Sequence, residues 1–342
     1  MDGYANTLFA NALNTNREGI IFPTDVGALA NPPLPTIGSL ERVHQLEPWV
    51  RTYLAVHELL MPCAFDPQAA GTEGLQLTVA GAAPAVPLAT LYRPLRTVFE
   101  GELKDVLMYA ELRHDRIAEI LTQIDSQTAH WSSILQMRPD ISEKTLELLQ
   151  VSLQFAVFIE MRFKHYFSCW RPVNYSHQVQ PVITTPGHGS LPMGHATQAY
   201  LAAYILDYLT NRHANGSQID QRVTNMLYRQ AFRMSFNRIV AGVHFPVDMA
   251  AGAALGRALG QYFVGRCSTV PKTGSLFGVP PTPGPVDVTE YVFNVANYAA
   301  GPITLPAFLS KYAGTTRQQT FSSAPVLSAI WTDAHEEWVY RR

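Results

Sequence analysis

Apolar residues recur at helical spacing over most of this chain, and this pattern constrains the fold most strongly. Residues 95–124 and 142–167 place an apolar side chain every three or four positions, as helices do when they bury one face. The chain has 342 residues, of which 47% are apolar and 15% charged, so a large core is expected. Further helices are predicted at about 39–61, 128–136, 193–209, 217–238 and 245–264. The sequence therefore predicts an all-α helical bundle.

Stretches rich in Gly, Pro and Asn separate the predicted helices and indicate long loops. Residues 1–38 have no clear periodicity and predict an extended N-terminal arm, while residues 62–87 predict a loop with a short hairpin at 75–79. Residues 265–288 predict another loop, and weak helical segments follow at 291–298 and 324–340. The sequence contains no internal repeat, charge run or low-complexity linker. A single domain spanning 1–342 is therefore expected.

Charge and cysteine content exclude several classes of protein. The formal net charge is −2, which argues against a nucleic-acid surface. Cys63, Cys169 and Cys267 are too few for a disulfide framework. The N-terminal residues do not resemble a signal peptide, and no run of about 18 apolar residues occurs. These features predict a soluble, cytoplasmic protein without a membrane or nucleic-acid partner.

The stretch from Arg238 to Asp248 combines three side chains with complementary chemistry. Arg238 offers a planar, permanently charged group that matches an oxyanion. His244 can act as a nucleophile, a metal ligand or a proton donor. Asp248 follows His244 by four residues, so in a helix it lies on the same face. There it can accept the second ring N–H of His244 and fix its tautomer.

Two earlier stretches add cations, a glycine and a second histidine. Lys164 and Arg171 are separated by six residues, and Gly194 and His195 follow the Pro-Met pair at 192–193. Three cations converging on one point would suit a tetrahedral oxyanion. Backbone N–H groups at the start of a helix near Gly194 could bind the same oxygens.

In chain order these stretches read K-x6-R-P, P-M-G-H and R-x5-H-x3-D. This resembles the signature of the superfamily of vanadium-dependent haloperoxidases, class A acid phosphatases and type 2 phosphatidic acid phosphatases. The family pattern is K-x6-R-P, P-S-G-H and S-R-x5-H-x3-D. Met193 and Asn237 stand where the family has serine. The resemblance covers residues 142–265, which we take as the catalytic core.

The resemblance implies a role for each matched residue. His244 would bind vanadium or attack phosphorus, and His195 would be the acid–base residue. The predicted catalytic residues are His195, His244, Asp248 and Lys164. The predicted cofactor-binding residues are Lys164, Arg171, Met193, Gly194, Arg238 and His188, with His244 as the metal ligand. The implied cofactor is vanadate, and phosphate can occupy the same site because it shares the shape and charge of vanadate.

Within this superfamily the haloperoxidase branch is favoured. The lipid phosphatases are built on membrane-spanning helices, and class A acid phosphatases are shorter and exported. His188 precedes His195 by seven residues, at a position that is often histidine in bromide-oxidising members. The expected reaction is oxidation of bromide or iodide by hydrogen peroxide, with a small organic substrate as a further partner. The sequence leaves open whether the protein forms a homo-oligomer.

Three alternatives stay open at this point. The first is a soluble phosphatase with His244 as the nucleophile. The second is a silent or repurposed oxyanion-binding protein, because the thioether of Met193 cannot donate a hydrogen bond. The third is a di-iron protein, since E-x-x-H pairs occur at 41–44 and 111–114.

Overall fold

The computed structural model describes residues 7–20, 34–80, 85–125, 127–211, 218–267, 286–293 and 313–339. The chain divides into two compact units, Met1–Arg42 and Val43–Arg342. In the first unit, residues Thr7–Ile20 form helix α1. The extended arm predicted for residues 1–38 is therefore wrong over this segment, which contains no proline to interrupt a helix. Residues 1–6 and 21–33 of that arm lie outside the described residues.

The second unit is predominantly helical, which confirms the predicted all-α bundle. Its α-helices are α2 (Pro48–Leu60), α3 (Arg96–Tyr109), α4 (Arg113–Thr122), α5 (Thr128–Leu135), α6 (Glu143–Phe167), α7 (Pro172–Tyr175), α8 (Gly194–Thr210), α9 (Gln221–Val240), α10 (Pro246–Arg266) and α11 (Pro325–Val339). Short 3-10 helices cover Val43–Gln45, Ala110–Leu112 and His177–Val179. None of the helices in the described ranges is long and apolar enough to cross a membrane.

One predicted helix is divided in the structure. The single helix expected over 95–124 is divided by the 3-10 turn Ala110–Leu112 into α3 and α4. The helix expected over 193–209 is α8, which Met193 caps just after Pro192. Pro48 and Pro246 occupy the first turns of α2 and α10. Backbone N–H groups in a first turn make no hydrogen bond within the helix, so proline is tolerated there.

Helix α10 lies at the centre of the core, with nearly every side chain buried. Gly252 and Gly256 of α10 face the backbone of α8. A Cβ atom at Gly252 would lie 2.5 Å from the carbonyl oxygen of Met193, and one at Gly256 would collide with the carbonyl oxygen of Thr197. The two helices can therefore approach closely only because these positions lack a side chain. This contact places the start of α8 against the start of α10.

A five-stranded sheet accompanies the helices, in the order β1 to β5. The strands are β1 (Cys63–Pro67), β2 (Gly74–Val79), β3 (Val86–Tyr92), β4 (Val286–Phe293) and β5 (Ala313–Gln319). Strand β3 pairs in parallel with β4, and the other pairs are antiparallel.

The sheet corrects two of the sequence predictions. The hairpin expected at 75–79 is real, because β2 pairs with both neighbours. Most of the loop predicted around it is nevertheless strand, with Leu75, Leu77 and Val79 alternating into the core. The helix predicted at 291–298 is wrong over 291–293, which belong to β4, and its remainder lies outside the described residues.

Carboxylates fix the position of α6, the helix that carries Lys164. Glu337 of α11 accepts hydrogen bonds from the backbone N–H groups of Lys144 and Thr145, in the first turn of α6. Both oxygens of Glu147 accept from Arg51 of α2. The free first-turn N–H groups of α6 are thus bonded by another helix, which anchors α6 within the bundle.

Candidate active site

Lys164 and Arg171 bind one loop from the end of α6 and the start of α7. The ammonium group of Lys164 donates to the carbonyl oxygens of Gly189 and Ser190, at 3.2 and 3.1 Å. The guanidinium group of Arg171 donates through Nε to the carbonyl oxygen of His188 at 3.2 Å. The carbonyl groups of 188–190 therefore orient both cations, and both are almost fully buried.

His244 lies between Arg171 and Asp248, just before α10. Its Nδ1 is 3.1 Å from Oδ2 of Asp248, and its Nε2 is 2.8 Å from Nη1 of Arg171. Because arginine can only donate, Nε2 of His244 accepts and carries no proton. The proton is therefore on Nδ1, which donates to Asp248. This is the geometry that the four-residue spacing predicts.

Asp248 is a fully buried carboxylate with three donors. Besides His244, it accepts the backbone N–H of Phe245 at 3.0 Å and the hydroxyl of Ser190 at 3.2 Å. Burial raises the pKa of Asp248 to about 6, although the Phe245 hydrogen bond and the nearby Arg171 and Lys164 oppose that rise. Burial also lowers the pKa of His244 well below its ordinary value, with Arg171 adding to the effect. His244 is therefore neutral at pH 7.

Arg238 and His195 meet at Gln123, the residue that ends α4. Nη2 of Arg238 donates to the carbonyl oxygen of Ile120 at 2.9 Å and to Oε1 of Gln123 at 3.0 Å. Nε2 of His195 is 2.9 Å from the backbone carbonyl oxygen of Gln123, so it carries the proton. Asn237, which replaces a family serine, also donates to Oε1 of Gln123. Sequence reasoning missed Gln123, because it belongs to none of the three motifs.

Burial is also the main cause of the low pKa of His195, which falls to about 4, and Arg238 lowers it further. His195 is thus neutral at pH 7. Its pKa also responds to Lys164 and Arg171, and that of His244 responds to His195. The nearby positive charges therefore help to keep both histidines unprotonated.

The three cations are held with little water around them. Burial lowers the pKa of Lys164, and it lowers the pKa values of Arg171 and Arg238 to about 10 each. Nε and Nη1 of Arg238 are buried, and neither has a hydrogen-bond partner among the described residues. Buried donors without partners cost free energy. A tetrahedral oxyanion would satisfy them, so these residues fit vanadate or phosphate.

Met193 and Gly194 begin α8 beside this group of cations. The backbone N–H of Met193 donates to the carbonyl oxygen of Asp248 at 2.9 Å, and its side chain is buried without capping the helix. A Cβ atom at Gly194 would lie 2.6 Å from Oε1 of Glu160. Only glycine therefore allows this carboxyl group so close to the helix start. Glu160 is a second residue that the motifs did not reveal.

A cavity of about 810 Å³ is lined by Lys164 and Arg171, but not by Arg238, His195 or His244. His188 lies at its wall, with Nδ1 at 3.0 Å from Nη2 of Arg171. The cavity is lined by residues that include Met161, Lys164, His165, Trp170, Arg171 and His188. It is large enough for a small organic molecule.

The predicted site residues thus form two hydrogen-bonded groups in the second unit. One contains Arg171, His244 and Asp248, and the other joins Arg238 and His195 through Gln123. The start of α8 links them, because the backbone N–H of Met193 donates to Asp248. Within the described ranges, no three His, Cys, Asp or Glu side chains lie close enough together to bind a metal ion. The di-iron alternative therefore has no supporting site there. His44 of one proposed pair instead contacts Asp333.

Comparisons with known proteins gave a match to one family model and to a solved structure. No curated protein sequence matches the chain. Among solved structures, the chain is similar to the "first transmembrane PAP2 type phosphatidylglycerolphosphate phosphatase from Bacillus subtilis" at 16% sequence identity and a TM-score of 0.34. That alignment covers 48% of this chain and 84% of the other. The model of the PAP2 superfamily matches residues 146–267, the part of the chain that carries all three motifs.

Proposed function

We propose that this protein is a vanadium-dependent haloperoxidase that oxidises bromide or iodide with hydrogen peroxide. The observation that carries the proposal is the line Arg171–His244–Asp248, set beside the N–H groups of Arg238 that have no partner among the described residues. Nε2 of His244 is unprotonated and could bind a metal if Arg171 donated to the oxygens of vanadate instead, and Arg238 could donate to the same oxygens.

Vanadate would be held by Lys164, Arg171 and Arg238, with the backbone N–H of Gly194 at the start of α8. His244 would be its ligand through Nε2. Bound there, vanadate would supply Lewis-acid activation of peroxide.

The protein side chains would hold and move the protons. Asp248 keeps the proton of His244 on Nδ1, so that Nε2 stays unprotonated and would be freed when Arg171 donates to the oxyanion. His195 is neutral and close to the cations, so it can take a proton from peroxide as peroxide binds. Gln123 orients His195 through its carbonyl oxygen. Burial of this group excludes bulk water and strengthens each of these interactions.

The halide and the organic substrate would reach the site through the cavity. His188 contacts Arg171 at the cavity wall, and it occupies the position that the resemblance associates with bromide oxidation. This supports bromide or iodide rather than chloride. The volume of the cavity leaves room for a small organic acceptor of the oxidised halogen.

A phosphatase that uses His244 is the second candidate function. The same unprotonated Nε2, oriented by Asp248, could attack phosphorus. The PAP2 superfamily match also covers phosphatases. The two functions differ in whether vanadate or a phosphate ester occupies the cation site.

Activity with and without vanadate distinguishes the two functions. Metal-free protein is incubated with vanadate and then assayed with peroxide, bromide and a phenol-based halogenation dye. Bromide oxidation should require vanadate, and phosphate added before the vanadate should suppress it. Arg238→Met should abolish the activity, whereas Arg222→Met, an exposed arginine on the same helix, should leave it unchanged. Hydrolysis of an aryl phosphate by the vanadate-free protein, without bromide oxidation, would instead identify a phosphatase.

A further inference from the structure

Glu160 is a buried carboxyl group for which neither the motifs nor the proposed mechanism has a role. It lies on α6, four residues before Lys164, and only 2% of its surface is exposed. Oε1 accepts a hydrogen bond from Gln198 of α8 at 3.2 Å. Oε2 is buried and has no partner among the described residues. A buried carboxyl oxygen without a donor is costly, so its position calls for an explanation.

The surroundings of Glu160 indicate what this oxygen faces. Both carboxyl oxygens lie close to Gly194, at 2.6 and 3.3 Å from the position of a Cβ atom there. The first N–H groups of α8 have no partners within the helix, and Met193 provides no side-chain cap. A carboxylate placed as a cap would accept those N–H groups, but Oε2 accepts none. The carboxyl group thus lies beside the helix start without capping it, and Oε2 is left for a partner that the chain does not supply within the described residues.

The protonation state of Glu160 determines how its carboxyl group would interact with a bound oxyanion. Burial raises the pKa of Glu160, and Lys164 opposes the rise. Helix α8 faces Glu160 with Gly194 and Gln198, neither of which titrates, and Lys164 is the charged group that acts on it within the described part of the chain. An ionised Glu160 would repel an oxyanion at the cations. A protonated Glu160 would offer it an O–H donor.

We propose that Glu160 lines the oxyanion site and donates a hydrogen bond from its carboxylic acid form to an oxygen of the bound anion. Met193 has no donor at the start of α8, so Glu160 supplies one from the facing helix. Glu160 is a positioning residue, and by its charge it couples anion affinity to pH. The inference rests on the proposed oxyanion site but does not require halide oxidation.

Sulfate is a suitable probe, because it stays a dianion from about pH 5.5 to about pH 8.5. Its affinity for the full-length protein is measured by titration calorimetry across this range. As pH rises through the pKa of Glu160, the parent should lose a donor and gain a repulsive charge. Its affinity should therefore fall. Glu160→Gln keeps a donor and cannot ionise, so it should bind sulfate about tenfold more tightly than the parent at the upper end of the range.

Two further variants test the assignment of the donor. Glu160→Leu has a similar volume but no donor, and it should bind about tenfold more weakly than Glu160→Gln at the lower end of the range. Glu147→Gln changes another buried carboxylate of α6, which pairs with Arg51, and it should follow the parent curve. Parallel pH profiles for the parent and Glu160→Gln would overturn the proposal.

A measurement on the unmodified protein covers the case in which Glu160 variants do not fold. Sulfate binding at neutral pH should take up protons, detected as a dependence of the binding enthalpy on the ionisation enthalpy of the buffer. No uptake would overturn the proposal. If sulfate binding shows the expected pH dependence but the protein does not oxidise bromide, only the proposed function is refuted. If the protein oxidises bromide but the parent and Glu160→Gln have parallel sulfate profiles, only the role of Glu160 is refuted.

Discussion

At the scale of single residues, the two histidines of the site differ in their partners. Nδ1 of His244 donates to Asp248 and its Nε2 faces Arg171, whereas Nε2 of His195 donates to a backbone carbonyl. Of the two, only His244 is therefore oriented by a carboxylate that keeps its Nε2 unprotonated. This difference predicts that His244 holds the metal and that His195 moves protons.

Separate replacement of the two histidines tests this division of roles. His244→Ala should lose vanadium and activity together, since it removes the ligand nitrogen. His195→Ala should retain much of the vanadium, which Lys164, Arg171 and Arg238 still hold, but should turn over about a hundredfold more slowly. Vanadium content after desalting is measured beside steady-state bromide oxidation. Loss of vanadium from His195→Ala alone would reverse the two assignments.

At the scale of secondary-structure elements, the site depends on how closely α8 and α10 pack. Gly252→Ala would place a methyl group 2.5 Å from the carbonyl oxygen of Met193, and backbone atoms cannot rotate away. We expect it to lower the free energy of unfolding by about 1–3 kcal/mol and to weaken sulfate binding by shifting the start of α8. Gly101→Ala is the matched control, because a Cβ atom at Gly101 in α3 would meet no atom within 4 Å.

Urea denaturation compares the two glycine variants. Gly101→Ala should match the parent or gain about 0.5–1 kcal/mol, since alanine favours a helix over glycine. Equal stability of the two variants would mean that the contact between α8 and α10 can relax at no cost, and that it does not define the position of the site.

The helices and strands also show which parts of the fold the sequence could predict. Helical periodicity located α6, α8, α9 and α10, because each buries a regular face or is bounded by proline. Strand β4 is not predicted: its first residues fall in the predicted loop 265–288 and residues 291–293 in the predicted helix 291–298, since its pairing with β3 joins residues about 200 positions apart. The motif spacing resembles the family signature, and on that basis Lys164, His195 and His244 are predicted to share one site. Gln123 and Glu160 stayed hidden, because only tertiary packing brings them to the site.

At the scale of the whole molecule, the second unit carries uncompensated charge in its interior. Three cations and two carboxyl groups, Asp248 and Glu160, are buried at the site, and burial raises the pKa of both carboxyl groups. The site without an anion therefore holds more positive than negative charge, at a cost in stability. The fold and the anion site are thus coupled, because an anion that binds the folded state alone stabilises it.

This coupling predicts that oxyanions raise the thermal stability of the protein. Phosphate at about 100 times its Kd should add about 2.7 kcal/mol to the free energy of unfolding, or roughly 3–6 °C in Tm for a chain of this size. Potassium chloride at equal ionic strength should give little change, because it screens surface charges without filling the site. Arg238→Met should remove most of the phosphate effect, whereas Arg222→Met should keep it. The measurement is a thermal unfolding curve for each protein in each salt. Equal shifts with phosphate and chloride would show that the three cations do not form a specific oxyanion site.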